Sequence, residues 1–126
     1  MNLLLDTHTF LWAIDNHPNL SQEARVAITD GNNMVFVSAA TAWEISIKKA
    51  IGKLTIPRES YMAELSAHRF TPLDITTEHA LAIENLPKHH NDPFDRLLIA
   101  QAQIEKLTLV TRDRRIKRYA VQVIET

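Results

Sequence analysis

"PFDRLLIAQAQIEKLTLVT", residues 93–111, decides the fold. Over 93–106 the apolar residues fall at helical spacing: Leu98, Ile99 and Ala102 share one face, with Asp95 at its top. From Leu107 the pattern changes to "LTLVT" (107–111), a short apolar run bounded by polar residues. That is the mark of a strand buried on both faces. A helix that feeds a doubly buried strand belongs to a sheet covered by helices on both sides.

The same alternation runs outward along the chain. "NLLL" (2–5) and "MVFVS" (34–38) read as buried strands. "THTFLWAI" (7–14) reads as a helix ended near "DNHP", and Ser21 caps "SQEARVAI" (21–28). "TAWEISIKKAIG" (41–52) is a helix with Gly52 as its stop, and "PRESYMAELSAH" (57–68) has Pro57 at a helix start. "FTPLDI" (70–75) is an edge strand, because Pro72 cannot donate to a ladder. "TTEHALAIENL" (76–86) is a helix closed by Pro87, and "VQVIE" (121–125) is the last strand. Strands alternating with helices predict an α/β protein, a three-layer α/β/α sandwich around a mainly parallel sheet. The 126 residues suit one domain, residues 1–126.

Composition narrows the chemistry. With no cysteine, disulfides and thiolate metal sites are absent, and a cytoplasmic setting is expected. "MNLLLD" has no basic start and too short an apolar run for a signal peptide. No stretch approaches the roughly 20 apolar residues of a membrane span. A net charge of −1 rules out a polycation that coats nucleic acid, so any such contact must use a local patch or bound metal. Only Gly31 and Gly52 are glycines, so neither a P-loop nor a G-x-G-x-x-G fingerprint is possible.

In a parallel α/β sheet the carboxyl ends of strands and the amino ends of the following helices meet at one edge, where ligands bind. Asp6 follows "NLLL" directly. Glu44 lies in the first turn of the helix after "MVFVS". Asp95 lies in the first turn of the helix before "LTLVT", and Asp113 comes two residues after that strand. All four acids are thus expected at the same edge. Singly, each also reads as a cap or turn residue: Asp92-Pro93-Phe94-Asp95 resembles a capped helix start, and Thr41-Ala42-Trp43-Glu44 has the capping-box form. Asp95 and Glu44 (the latter in line with Ile47 and Ile51) instead sit above the stripes that pack on the sheet. A simple cap does not need that position. Four clustered carboxylates repel unless hard cations lie among them, and oxygen-rich sites suit Mg²⁺ or Mn²⁺. His8, His89 and His90 fall near this edge without the i, i+4 spacing of a helical zinc site, and read as surface or internally satisfied residues. Trp12, Trp43 and Phe94 read as core or interface. The basic run "TRDRRIKR" (111–118) is either a solvated turn or a phosphate grip.

Other phosphoryl chemistries fit less well. Asp6-Thr7-His8-Thr9 has His8 where the D-x-D-x-T loop of haloacid-dehalogenase phosphatases has its second Asp. A receiver domain needs an acidic pair after its first strand and a Lys near its fifth. A four-acid cluster with no added nucleophile fits metal-assisted hydrolysis.

"LLLDTHTFLW" (3–12), "SAATAWEISIKKAIGKL" (38–54), "LPKHHNDPFDRLLIAQA" (86–102) and "LTLVTRD" (107–113) resemble a PIN-domain protein, most of all the VapC toxins of bacterial toxin–antitoxin pairs. The resemblance covers nearly the whole chain. It implies a PIN-like fold and a Mg²⁺- or Mn²⁺-dependent endoribonuclease that leaves 5′-phosphate and 3′-hydroxyl ends. It implies Asp6, Glu44, Asp95 and Asp113 as catalytic and metal-holding acids, with Thr111, Arg112 and Arg96 positioning the phosphate. It further implies an RNA substrate, cut where single-stranded loops expose the backbone, a cognate antitoxin, and a homodimer. The apolar faces of "YMAELSAH" and "FLWAI" serve such contacts or the core equally well. A PIN nuclease of RNA processing and a non-catalytic PIN interaction domain remain open alternatives.

Overall fold

Successive residues of a strand face opposite sides of its sheet, and the three leucines of Asn2–Leu5 (β1) divide accordingly. Leu3 and Leu5 enter one apolar cluster, Leu4 the other, and all three are fully buried. The computed structural model describes residues 1–126. Around β1 it places Met34–Ser38 (β2), Thr71–Leu73 (β3), Thr108–Thr111 (β4) and Val123–Glu125 (β5). The sheet order is β3-β2-β1-β4-β5, and every pairing is parallel, not mainly so. The helices are Thr7–Asp15 (α1), Gln22–Thr29 (α2), Ala39–Ala50 (α3), Arg58–Ala67 (α4), Thr77–Ala82 (α5) and Pro93–Glu105 (α6).

The two clusters are the two outer interfaces of a three-layer sandwich. Phe10, Leu20, Ala24, Ile45, Leu65 and Phe70 cover the Leu3/Leu5 face. Leu97, Leu98, Ile99, Ala102 and Ile116 cover the Leu4 face. α6 carries the second layer because its apolar stripe runs its whole length, as 93–106 predicts. No helix is long and apolar enough to cross a membrane.

Several element ends shift for local reasons. α3 begins at Ala39, capped by Ser38, whose Oγ accepts the Ala40 N–H at 3.0 Å. The capping box expected at Thr41–Glu44 therefore does not form, and both residues lie inside the helix. Pro57 is the N-cap of α4, not its first turn. β3 is shorter than 70–75. The Phe70 N–H closes the end of α4 on Leu65 O at 2.9 Å, and the Thr76 N–H is taken by His79 Nδ1 at 3.0 Å. The 76–86 helix tightens after Ala82 into a 3₁₀ turn at Ile83–Asn85. β5 is only Val123–Glu125, since Val121 N–H turns back onto Tyr119 O. The caps at Ser21 and Asp92 form as read from the sequence.

Gly52 ends α3 with φ +74°. Its N–H reaches Lys49 O and that of Lys53 reaches Lys48 O, the paired bonds of a Schellman stop. Gly52→Ala should cost about 1–2 kcal/mol from the left-handed backbone alone, since a Cβ there meets nothing. Gly31→Ala, equally free of clashes and without positive φ, should change stability little. Urea unfolding of the two variants checks this contrast.

Candidate functional site

The chain steps from β1 to β2 and β3 on one side, then crosses to β4 and β5 on the other. The order thus reverses between β1 and β4, which opens a crevice at their carboxyl ends. A cleft of about 420 Å³ lies there, lined among others by Asp6, Glu44, Asp92, Asp95 and Asp113. The structure thus brings together the four acids singled out in the sequence.

Three of the four acids accept a hydrogen bond from a neutral donor. Asp6 sits at the N-cap of α1 with Oδ1 accepting the Thr9 N–H at 2.9 Å, so it is a cap and a site residue at once. Its Oδ2 accepts the Thr111 hydroxyl at 2.5 Å, and Thr111 Oγ1 in turn accepts the Asp113 N–H at 3.0 Å. One buried threonine therefore joins the ends of β1 and β4. Glu44 reaches the cleft from α3, which touches α1 on one side and α6 on the other. Its Oε1 accepts the Thr7 hydroxyl at 2.7 Å, while Lys48 pairs with Oε2 at 2.8 Å. Thr7 gives its one proton to Glu44, so Thr41, 3.2 Å away, is the donor to Thr7. Thr41 thus supports Glu44 from inside α3 instead of capping it.

Asp92 and Asp95 divide the helix start as their spacing suggests. Asp92 Oδ1 caps α6, accepting from Phe94 N at 2.8 Å and Asp95 N at 3.2 Å. Asp95 turns into the cleft, where Oδ2 lies 3.0 Å from His90 Nε2. The same nitrogen is 2.8 Å from Asp113 Oδ2. His90 is internally satisfied, as read from the sequence, yet it bonds one of the four acids and lies against a second. Sequence reasoning missed it as a site residue. The only available signal was its position two residues before a helix cap.

The three residues expected at the phosphate part company. Thr111 is fully buried with its hydroxyl engaged twice, so it positions two acids and does not face substrate. Arg96 turns away from the cleft and donates to the carbonyls of Pro87, His90, Ile83 and Leu86. It is a staple for the loop before α6. Arg112 does line the cleft, with its guanidinium 4.5 Å above the Trp12 ring and bonded to Thr126 O and Asn19 O. Arg115, from the basic run, joins it there and chelates Asp113 through Nε and Nη2 at 3.1 and 2.8 Å. Trp43, on the surface of α3, meets Phe94 edge-on and is 56% exposed.

These contacts pull neighbouring acids apart in strength. Arg115 holds the Asp113 carboxyl down at about 2. Burial pushes Asp95 up to about 7, and repulsion from Asp92, Asp6, Glu44 and Asp113 adds to it. Burial also raises Asp6, against hydrogen bonds from Thr111 and Thr9. An edge crowded with carboxylates, one of which resists ionisation, suits a hard divalent cation. His90, Asp95 and Asp113 offer donor atoms within 4.8 Å of one another.

This fold, with acids gathered at its switch point, defines an α/β nuclease-like chain, and residues 3–122 match the PIN domain family. The chain belongs to that family. Over 118 residues it is 32% identical to Ribonuclease VapC22 of Mycobacterium tuberculosis, covering 91% of this chain and 89% of the relative. Its fold is similar to VapBC2 from Rickettsia felis bound to a promoter DNA fragment. There the TM-score is 0.74 at 19% identity, over 99% of this chain and 98% of the other. DNA-bound VapBC from Salmonella typhimurium gives 0.69 at 22% identity, over 99% and 98%.

Asp95 makes the crowding measurable. An acid whose folded value lies above its unfolded 3.8 stabilises the fold only while protonated. That contribution is complete below pH 3.8 and is lost as the pH rises through about 7. In EDTA at about pH 8, Asp95→Asn should therefore be more stable than the parent, by on the order of 2–4 kcal/mol at about 1.36 kcal/mol per pKa unit. The gain should shrink toward pH 5. Urea midpoints at the two pH values read it; equal stability at the higher pH would contradict the assigned repulsion.

Proposed function

We propose that this protein is a metal-dependent endoribonuclease, the toxin of a toxin–antitoxin pair. The observation that carries the reading is the arrival of Asp6, Glu44, Asp95 and Asp113 in one cleft, from four separate segments, on a PIN-family chain 32% identical to a ribonuclease. Residues 1–126 act as a single PIN domain.

Charge explains why a metal belongs here. The cleft is lined by five carboxylates, Asp92 included, against the three cations Lys48, Arg112 and Arg115. Without added positive charge it repels a phosphodiester. Asp6, Glu44, Asp95 and Asp113 would hold Mg²⁺ or Mn²⁺, whose all-oxygen preference matches the set. When bound, such an ion lowers the pKa of a coordinated water and stabilises charge developing on the phosphate. The chain's own residues do the rest. Thr111, Thr7 and Thr41 fix the carboxylates. Arg112 and Arg115 supply positive charge at the cleft for the phosphates flanking the scissile bond. Hydrolysis then leaves a 5′-phosphate and a 3′-hydroxyl.

The relatives' VapBC assemblies support an antitoxin as partner. Trp43, Ile47 and Ile51 line one exposed stripe of α3, a surface for that partner or for a second copy in a homodimer. We read the protein as cytoplasmic, together with its RNA, a reading that the absence of cysteine supports.

Asp95→Asn should keep the fold and abolish cleavage of RNA in Mg²⁺ or Mn²⁺, as EDTA should for the parent. Cleavage by Asp95→Asn at the parental rate, or by the parent in EDTA, refutes the assignment. Asp92→Ala should lose about 1 kcal/mol of stability and retain part of the activity, since it removes a cap. A small upstream gene whose product silences cleavage distinguishes the toxin from a PIN nuclease of RNA processing.

A further inference from the structure

His90 is 3% exposed and sits in the loop before α6. Its ring has three polar neighbours. Nδ1 accepts the Asp92 backbone N–H at 3.1 Å, and Nε2 lies 2.8 Å from Asp113 Oδ2 and 3.0 Å from Asp95 Oδ2. The loop itself is pinned. Arg96 Nη1 donates to His90 O at 3.2 Å, and Tyr119 Oη accepts the His89 N–H at 3.1 Å while donating to Pro87 O at 2.8 Å. The ring is thus carried on a loop tied at three points.

By composition the trio His90, Asp95 and Asp113 looks like a mixed nitrogen and oxygen metal site. The hydrogen bonds contradict that look. A ring nitrogen that accepts an N–H carries no proton, so the lone pair of Nδ1 is committed to Asp92. The proton is therefore on Nε2, bonded to Asp113 Oδ2 with Asp95 Oδ2 close beside it. The other tautomer would set N–H against N–H on one side and a lone pair against two anions on the other. A protonated Nε2 cannot ligate a metal.

We propose that His90 is a positioning residue for the metal centre. Its Nε2–H bonds Asp113 from behind with Asp95 3.0 Å away, fixing the spacing of the two carboxylates and leaving the centre with oxygen ligands only and so with a preference for Mg²⁺ or Mn²⁺ over Zn²⁺. The proposal rests on reading the four acids as metal-holding. It adds the residue that sets their spacing, a role met elsewhere for donors behind metal ligands. The chemical sense is direct. A neutral N–H bonded to one of two neighbouring anions and close to the other reduces their repulsion without competing as a cation for the space between them.

Two measurements test it. Nitrogen-15 spectra of the imidazole rings in the full chain, free and with saturating Mg²⁺, should give His90 as the Nε2–H tautomer in both. A bare Nε2, in either state, overturns the proposal. Calorimetry with Mn²⁺ on the parent, His90→Ala and His90→Gln supplies the second. Removing the donor should weaken Mn²⁺ binding about 10–100-fold. Gln, which returns an N–H at similar reach, should recover most of that loss, and circular dichroism should match the parent in both variants. Parental affinity in His90→Ala overturns the positioning role while leaving the metal reading intact. If His90→Gln binds as weakly as His90→Ala, the ring acts as a ligand and the proposal fails. A parent that takes up no Mn²⁺ sinks the metal reading, and this inference with it. Should His90→Ala fail to fold, the tautomer and the Gln variant still decide.

Discussion

Repulsion among carboxylates at the carboxyl ends of β1 and β4 is the constraint to which the rest of this structure answers. Two unit charges about 4 Å apart repel by roughly 4 kcal/mol at an effective dielectric near 20. Free side chains in that field would turn out to solvent. Here they cannot. Asp6 is fastened by Thr9 N–H and the Thr111 hydroxyl, Glu44 by Thr7, and Asp113 by His90, whose ring also packs against Asp95. The fasteners are neutral, so they fix position without discharging the site. The cations Lys48 and Arg115 touch only Glu44 and Asp113.

Such fastening needs a frame that does not yield, and the sheet supplies it. β1 and β4 are central and apolar, and Leu3, Leu4, Leu5, Leu109 and Val110 are fully buried. The Thr111 hydroxyl couples these strands beyond their last ladder bond, because its donor and acceptor contacts end on acids from different strands. The two core clusters therefore act on the cleft from both sides. α1 and its neighbours hold Asp6, Thr7 and Thr9, while α6 holds Asp92 and Asp95.

The acids were legible in the sequence because two regularities meet at one edge. A strand's end is fixed by where its apolar run stops, and a helix's start by its cap; in a parallel sheet both lie on the same side. Asp6, Asp95 and Asp113 needed no more than that, whereas Glu44 lies one turn deeper in α3 than its spacing suggested, and the Ile47 and Ile51 in line with it are exposed instead of packed on the sheet. Residues placed by reach instead of period were not legible. Arg96, next to Asp95, suggests a phosphate grip. Helical side chains tilt toward the helix N-terminus, however, so its guanidinium falls back over the preceding loop onto the carbonyls of Pro87 and His90. Thr111 lies at the phosphate edge but points between two acids. His90 lies in a loop with no repeat to reveal its aim. The capping box at Thr41 failed for a different reason: Ser38, at the end of β2, starts α3 one residue later, so Thr41 was already inside the helix.

Asp95 and Asp113 lie against the same imidazole yet titrate at about 7 and about 2. The difference comes from what lies on their other sides. Asp113 faces Arg115 and the solvent, whereas Asp95 faces three further carboxylates and the apolar top of α6. Asp113 is thus an anion under all physiological conditions and anchors positive charge. Burial and repulsion hold Asp95 up at about 7, so a cation beside it would favour its ionised form. Relief of repulsion at Asp95 adds to whatever the ion gains from its ligands. A helix cap has no use for such an arrangement. Asp92, one turn earlier and bonded to two backbone N–H groups, does the capping alone.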